Sequence, residues 1–363
     1  MQTIIYIDGD YTKLDALWQQ RGVTSIFLVC DGSYPYLTVS HYLDGLASRG
    51  IHITKFTDFT PNPLYESVVE GVKQYLAKPH DVILAVGGGS AMDVAKCIKL
   101  YATMDHTRSY LSQPLAPNDI PLFALPTTAG TGSEATRYAV IYANGEKQSV
   151  THENCIPSVV IFDPSVLDTL PGYQKKATML DTLAHAMESI WSRHATPESV
   201  GYAKEAIQLV VAHYTAYLGG DKTTHTIMLQ AANLAGKAIN ITATTAGHAM
   251  AYKLTSLYGI PHGHAAGAVL TQLIPYTVKH AEECQGVSQA ILEIATAMGT
   301  TAEGLAETYQ ALYDSLSLPS IPSASEEELA ILKASVNVER LSNYPLPLTT
   351  ESISTLYRSL LQL

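Results

Sequence analysis

Cysteine is scarce in this chain. Cys30, Cys97, Cys155 and Cys284 are the only four, they lie far apart, and none forms a CxxC pair. That spacing suggests neither a disulfide framework nor a thiolate zinc site, and the expectation is four reduced, buried thiols. Charge is thin as well: 15% of residues are charged, with 33 Asp and Glu against 22 Lys and Arg and a formal net charge of -11. Lys and Arg gather into no patch, which speaks against a nucleic-acid or anionic-membrane partner. No apolar run is long enough to span a bilayer, and Met1 to Asp8 lacks the basic and apolar regions of a secretory leader. That opening reads instead as a short strand before Gly9, and a cytoplasmic protein is expected. Internal repeats and low-complexity stretches are also missing.

What is present is a chain of 363 residues, 47% of them hydrophobic, enough for a large core and about two domains. Up to about Asp163, short apolar runs alternate with helical patterns: Ser25 to Val29, Ile51 to Phe56, Asp81 to Val86, Pro121 to Leu125 and Ser158 to Phe162. Such alternation predicts a parallel sheet with crossover helices. Asn144-Gly145 between Arg137 to Tyr142 and Lys147 to Thr151 predicts a local hairpin, because this dipeptide takes the positive φ angles of a two-residue turn. After Asp163-Pro164 the β-rich runs vanish. Tyr173 to Arg193, Glu198 to Leu218 and Thr223 to Tyr258 read as long helices, and Pro319 to Ser325 as a surface connection. The expected organisation is an α/β dinucleotide-binding domain over 1–164 and an all-α domain over 165–363.

Two loops carry the first chemistry. Asp81 to Val86 runs into Gly87-Gly88-Gly89-Ser90 and then a helical stretch to Lys99. Strand, glycine turn and helix suit a diphosphate, since glycines admit the ligand to the backbone and a helix N-terminus offers free N–H groups. An ordinary βα turn reads the same way. A second polar loop, Thr127 to Glu134, also follows a strand, and ligands gather at the carboxyl ends of parallel strands. The spacing is not GxGxxG. Asp31 closes the Ile26 to Cys30 run, where an acid favours the ribose 2′-hydroxyl of NAD over the phosphate of NADP; Asp31-Gly32 is equally a turn dipeptide.

The other chemistry lies in the helical half. Asp181 and His185 are four residues apart on one predicted helix, so both project from one face. A capping acid and a core histidine would look alike. His248 sits in a later helical run that Gly259-Ile-Pro-His-Gly-His264 interrupts, so His262 can fold back toward it. Three imidazoles and a carboxylate suit zinc or ferrous iron better than magnesium or calcium, and a nitrogen-rich site is more often catalytic than structural.

Taken together, Gly87 to Lys96, Pro126 to Glu134, Phe162-Asp-Pro164, Leu170-Pro171, Asp181-x-x-x-His185 and His248 through His264 resemble the iron-containing alcohol dehydrogenase family over nearly the whole chain. The fourteen-residue gap from His248 to His262 matches the spacing of that family's two later ligands. The resemblance implies the dehydroquinate synthase-like fold, NAD(H), one divalent ion (Zn or Fe) held by Asp181, His185, His248 and His262, a cleft between two domains, and a homodimer or larger assembly. It places the diphosphate on Gly87, Gly88, Gly89 and Ser90 and the nicotinamide beside Asp93 and Lys96. Thr127, Thr128, Thr131 and Ser133 would contact the cofactor, and Leu167 would pack near the adenine. Trp191 to Ser199 and Tyr252 to His264 look most like the short branch that reduces sulfoacetaldehyde or phosphonoacetaldehyde. Arg137, Lys253 and His264 are the candidate partners for such an anionic aldehyde. Tyr252 stands where many relatives carry a histidine that helps relay a proton, and His264 is an alternative relay. Rival readings are a general short-chain alcohol dehydrogenase, a dehydroquinate-synthase-like lyase that returns its NAD, and a binding protein that kept the fold.

Overall fold

The computed structural model describes residues 2–363 and divides the chain into two units, Met1–Thr128 with Gly132–Leu170, and Ala129–Thr131 with Pro171–Leu363. The first unit runs β1 (Thr3–Tyr6), α1 (Thr12–Arg21), β2 (Ser25–Cys30), α2 (Thr38–Asp44), β3 (His52–Phe56), α3 (Tyr65–Leu76), β4 (Val82–Gly87), α4 (Gly89–Tyr101), β5 (Leu122–Pro126), β6 (Tyr138–Ala143), β7 (Glu146–Thr151) and β8 (Val159–Phe162). Six strands form one parallel sheet in the order β1-β8-β5-β4-β2-β3. β4 and β5 are buried along their whole length, as strands covered on both faces must be, which is why they read as unbroken apolar runs. A core of Phe27, Phe56, Val72, Ile83, Ile98 and Tyr101 fills one side of this sheet. β6 and β7 pair antiparallel, with Asn144 at φ 53° and Gly145 at φ 78° in the turn between them.

The second unit holds α5 (Gly172–Trp191), α6 (Pro197–Leu218), α7 (His225–Thr242), α8 (Ala246–Tyr258), α9 (His262–Lys279), α10 (Val287–Met298), α11 (Leu305–Ser315), α12 (Glu326–Ala334), α13 (Val338–Ser342) and α14 (Thr350–Leu361). α5 is its axis, buried from Met179 to Trp191. Glycines let α9 lie against it: a Cβ on Gly267 would come within 2.8 Å of the Leu180 side chain. Among the described residues no helix is long and apolar enough to cross a membrane.

The structure corrects two expectations. The helix read over Thr223 to Tyr258 is two helices, broken at Ala243, whose φ is 57°. Thr242, Thr244 and Thr245 cluster at the break; the Thr242 hydroxyl donates to nearby backbone oxygens, a local alternative to the helical ladder, and Thr245 turns to another helix. Cys30, Cys97 and Cys155 are buried, but Cys284 is partly exposed.

Candidate metal centre and cofactor loops

α5 carries Asp181 and His185 one turn apart, α8 begins two residues before His248, and His262 opens α9. These three helix segments bring one ligand atom each of Asp181, His248 and His262 within 4.8 Å of one another. Asp181 and His248 are 3% and 2% exposed. Asp181 Oδ1 and His248 Nε2 face each other at 3.5 Å, both buried and neither with a hydrogen-bond partner. Buried polar atoms left in this state are costly, and a cation between them satisfies both. His185 borders the trio: its ring stacks on that of His248 at 4.5 Å and its Nε2 lies 4.0 Å from Asp181 Oδ1. The donor set therefore fits one divalent ion of the nitrogen- and oxygen-loving kind.

Electrostatics point the same way. Burial alone would raise the Asp181 carboxyl, yet the imidazoles around it hold it well below the usual carboxylate range. Burial works against a charged His248, but Glu188 and Asp181 keep its pKa up at about 10. A site that retains a proton so firmly is one that attracts positive charge. Burial pushes His185 down, toward the neutral ring a ligand needs.

Glu188 was not singled out in the sequence, although Asp181, His185 and Glu188 share the i, i+4, i+7 spacing of one helix face. Its side chain is fully buried and bonds His248 through Nδ1. Tyr252 lies parallel on the His262 ring, centroids 5.3 Å apart. His264 is fully buried with both nitrogens engaged, Nδ1 with the Tyr173 hydroxyl at 2.8 Å and Nε2 with that of Tyr313 at 3.0 Å. Lys253 follows Tyr252 on α8 and is partly buried.

In the first unit, β4 ends at Gly87 and α4 starts at Gly89. A Cβ on Gly87 would meet the Ala91 Cβ at 2.5 Å and Asp31 Oδ2 at 2.6 Å, so only glycine fits this cradle. The Gly88 N–H donates to Asp31 Oδ2 at 3.2 Å, and Asp31 Oδ1 accepts from the Ser33 N–H and hydroxyl. Asp31 thus both closes a turn and touches the glycine loop. Thr127 donates its N–H to the Gly87 carbonyl, and the Thr128 methyl would stand 3.6 Å from a Cβ on Gly88, so the second loop borders the first. Ala129–Thr131 belongs to the helical unit, where the Thr182 hydroxyl donates to the Ala129 carbonyl at 3.2 Å.

Asp93 and Lys96, expected beside the nicotinamide, share a hydrogen-bond network within the first unit. The Lys96 ammonium, fully buried, donates to Ser133 Oγ, Thr136 Oγ1 and the Tyr138 carbonyl, and Asp93 accepts from Ser133 Oγ and the Val140 N–H. This network ties α4 to the second loop and β6, and it takes up Ser133 too. Leu167 is fully buried, in the turn of Pro164–Leu167. Arg137 pairs with Glu153.

Comparison with known proteins agrees with this geometry. The profile of iron-containing alcohol dehydrogenase matches residues 2–164, and that of the Fe-containing alcohol dehydrogenase family C-terminal domain matches 175–360. Alcohol dehydrogenase 4 of Saccharomyces cerevisiae (strain YJM789) is 35% identical over 280 residues, 74% of this chain and 71% of the yeast protein. Choline dehydrogenase of Bacillus subtilis (strain 168) is 32% identical over 320 residues, 84% of this chain and 79% of that one. The crystal structure of sulfoacetaldehyde reductase from Bifidobacterium kashiwanohense in complex with NAD+ superposes with a TM-score of 0.86 at 27% identity, covering 99% of this chain and 96% of the other. An α/β sheet unit followed by a helical unit, with both profiles matched in that order, leaves one conclusion: the chain belongs to the iron-containing alcohol dehydrogenase family.

Proposed function

We propose that this alcohol oxidoreductase works as a metal-dependent, NAD(H)-linked aldehyde reductase on a small anionic aldehyde, sulfoacetaldehyde or phosphonoacetaldehyde. The observation that carries the metal is the pair of unsatisfied buried atoms, Asp181 Oδ1 and His248 Nε2, with His262 within reach of both. Asp181, His185, His248 and His262 would hold iron, or zinc with the same ligand types. When bound, the ion supplies Lewis-acid polarisation of a carbonyl oxygen and the nicotinamide supplies the hydride. The chain's own part is to bind, orient and exclude water. Gly87, Gly88, Gly89 and Ser90 would admit the diphosphate to the backbone at the start of α4, and Thr127, Thr128 and Thr131 would contact the same cofactor. Tyr252, parallel to His262, would fix that ring, while the burial of Asp181 and His248 keeps the centre dry.

Of the three cationic candidates, Arg137 is paired with Glu153 and His264 is held between two tyrosines, so Lys253 becomes the candidate anion partner. The likeness to sulfoacetaldehyde reductase supports the anionic substrate. Relatives named for alcohol and for choline support the competing reading, a dehydrogenase of alcohols that carry no negative charge.

The test is NADH oxidation by the metal-reconstituted enzyme with sulfoacetaldehyde, phosphonoacetaldehyde, glycolaldehyde and propanal. The anionic aldehydes should give the highest kcat/KM, and Lys253→Ala should lower those values about tenfold, the worth of one charge-assisted contact, while sparing propanal. Equal rates on all four would sink the anionic reading, and no net NADH loss would favour a lyase.

A further inference from the structure

The carboxylate of Glu188 is the most heavily engaged buried acid of the helical unit. Its Oε1 accepts from the Thr245 hydroxyl at 2.7 Å, the Gly247 N–H at 2.6 Å and the His248 N–H at 3.2 Å, and its Oε2 pairs with His248 Nδ1. Those two backbone donors belong to the first turn of α8, and Thr245, which precedes the helix, supplies no side-chain cap of its own. A side chain from α5 therefore caps α8, at the helix end where the dipole favours an anion. Gly247 makes room for it: a Cβ there would stand 2.7 Å from Glu188 Oε1. Trp191, three residues along α5, donates its indole N–H to Thr245 Oγ at 2.9 Å and fixes the far side of the same cluster.

The consequence falls on His248. With Nδ1 committed to Glu188, only Nε2 is left to face Asp181, and it is the Nε2 atom that is buried without a partner. A ligating imidazole must offer a lone pair at one nitrogen, and the hydrogen bond made by the other decides which.

We propose that Glu188 is the positioning residue of the metal centre: it fixes the rotation and tautomer of His248 so that Nε2 meets the ion, and by the same carboxylate locks the start of α8 to α5. This rests on the metal reading above. Glu188 acts through His248 and is not a fifth ligand.

Glu188→Gln separates positioning from mere capping. The amide oxygen keeps the three donors at Oε1, because turning it over would aim an NH2 group at three N–H and O–H donors. The amide nitrogen then donates where Oε2 accepted, so Nδ1 must become the acceptor and Nε2 must carry the hydrogen, which is the wrong tautomer for a ligand. Zinc affinity of the full-length protein, measured by chelator competition, should fall about ten- to a hundredfold, while the unfolding temperature of the metal-free variant falls less than that of metal-free Glu188→Ala, because the amide oxygen keeps the cap on α8. Glu188→Ala should lose both. A Gln variant that binds zinc within about threefold of wild type, in a wild type that binds it tightly, overturns the positioning role and leaves the metal centre standing. Wild-type protein that binds no zinc or iron overturns the metal reading and this inference together.

Discussion

Replacing Gly263 by alanine tests whether the geometry of α5 against α9 sets the metal site. Gly263 lies in the first turn of α9, next to His262, and a Cβ there would run into the Ala177 carbonyl oxygen and stand 2.7 Å from Asp181 Cβ and 2.9 Å from the Ala177 carbonyl carbon. Carbon atoms pack at about 3.5–4.0 Å, so the start of α9 must move off α5 by roughly 1 Å. The obstacle is largely backbone, which no rotamer change relieves. Alanine for glycine in a helix is intrinsically favourable by about 1 kcal/mol, whereas overpacking costs about 1–3 kcal/mol. The upper end applies here, leaving a net loss of about 1–2 kcal/mol, or several degrees in unfolding temperature for a unit of this size. The same displacement carries His262 away from Asp181 and should weaken metal binding about tenfold. Gly267→Ala is the control, since the atoms nearest its Cβ belong to the Leu180 side chain, at 2.8–3.1 Å, and not to backbone; it should cost less and leave metal affinity unchanged. Calorimetry and chelator competition on both variants decide the matter. A Gly263→Ala protein more stable than wild type, with metal affinity intact, would refute the reasoning.

Three further outcomes are expected. Gly87→Ala fills the cradle beside Asp31 and Ala91, and NADH affinity by fluorescence titration should fall at least about tenfold; an unchanged affinity would remove the glycine loop from the cofactor site. Asp31→Asn keeps an acceptor for Ser33 but removes the charge, so the NADPH to NADH preference should rise about tenfold. A constant ratio would make Asp31 a turn residue only. Burial pushes the Cys30 thiol up to about 12 and the Cys155 thiol to about 11, and raises Cys97 too, whereas Cys284 is partly exposed. A thiol reagent at pH 8 should therefore label one cysteine in the native chain and four after unfolding. Because the unfolded chain gives up these thiol protons from about pH 9 while the folded chain retains them, their ionisation lowers stability as pH rises from there toward 11–12; native labelling of more than one thiol would contradict the burial.

Much of this architecture was legible because period and punctuation agree. The five apolar runs from Ser25 to Phe162 each became a strand within a residue or two, and Asn144-Gly145 turned the hairpin. Asp181 with His185, and His248 with His262, could each be paired from spacing, and the family resemblance joined the two pairs around one ion. What stayed hidden depends on partners distant in sequence. The break at Ala243 is not announced by proline or glycine; it is held by threonines whose hydroxyls choose local oxygens and Glu188 over the helical ladder. Glu188 itself looks like a surface acid until α8 is seen to start above it. Lys96 and Asp93 sit in a motif that reads as a cofactor contact, and only the fold shows their further hydrogen bonds to Ser133, Thr136 and the backbone of β6.

The most direct measurement is metal titration of the stripped enzyme, following bound iron or zinc and NADH oxidation in the same samples. Activity should rise in step with metal and saturate near one ion per chain, and His248→Ala and His262→Ala should neither retain the ion nor turn over. Stripped protein that reduces aldehyde at the full rate, or a His248→Ala variant that binds and works like wild type, would contradict the account.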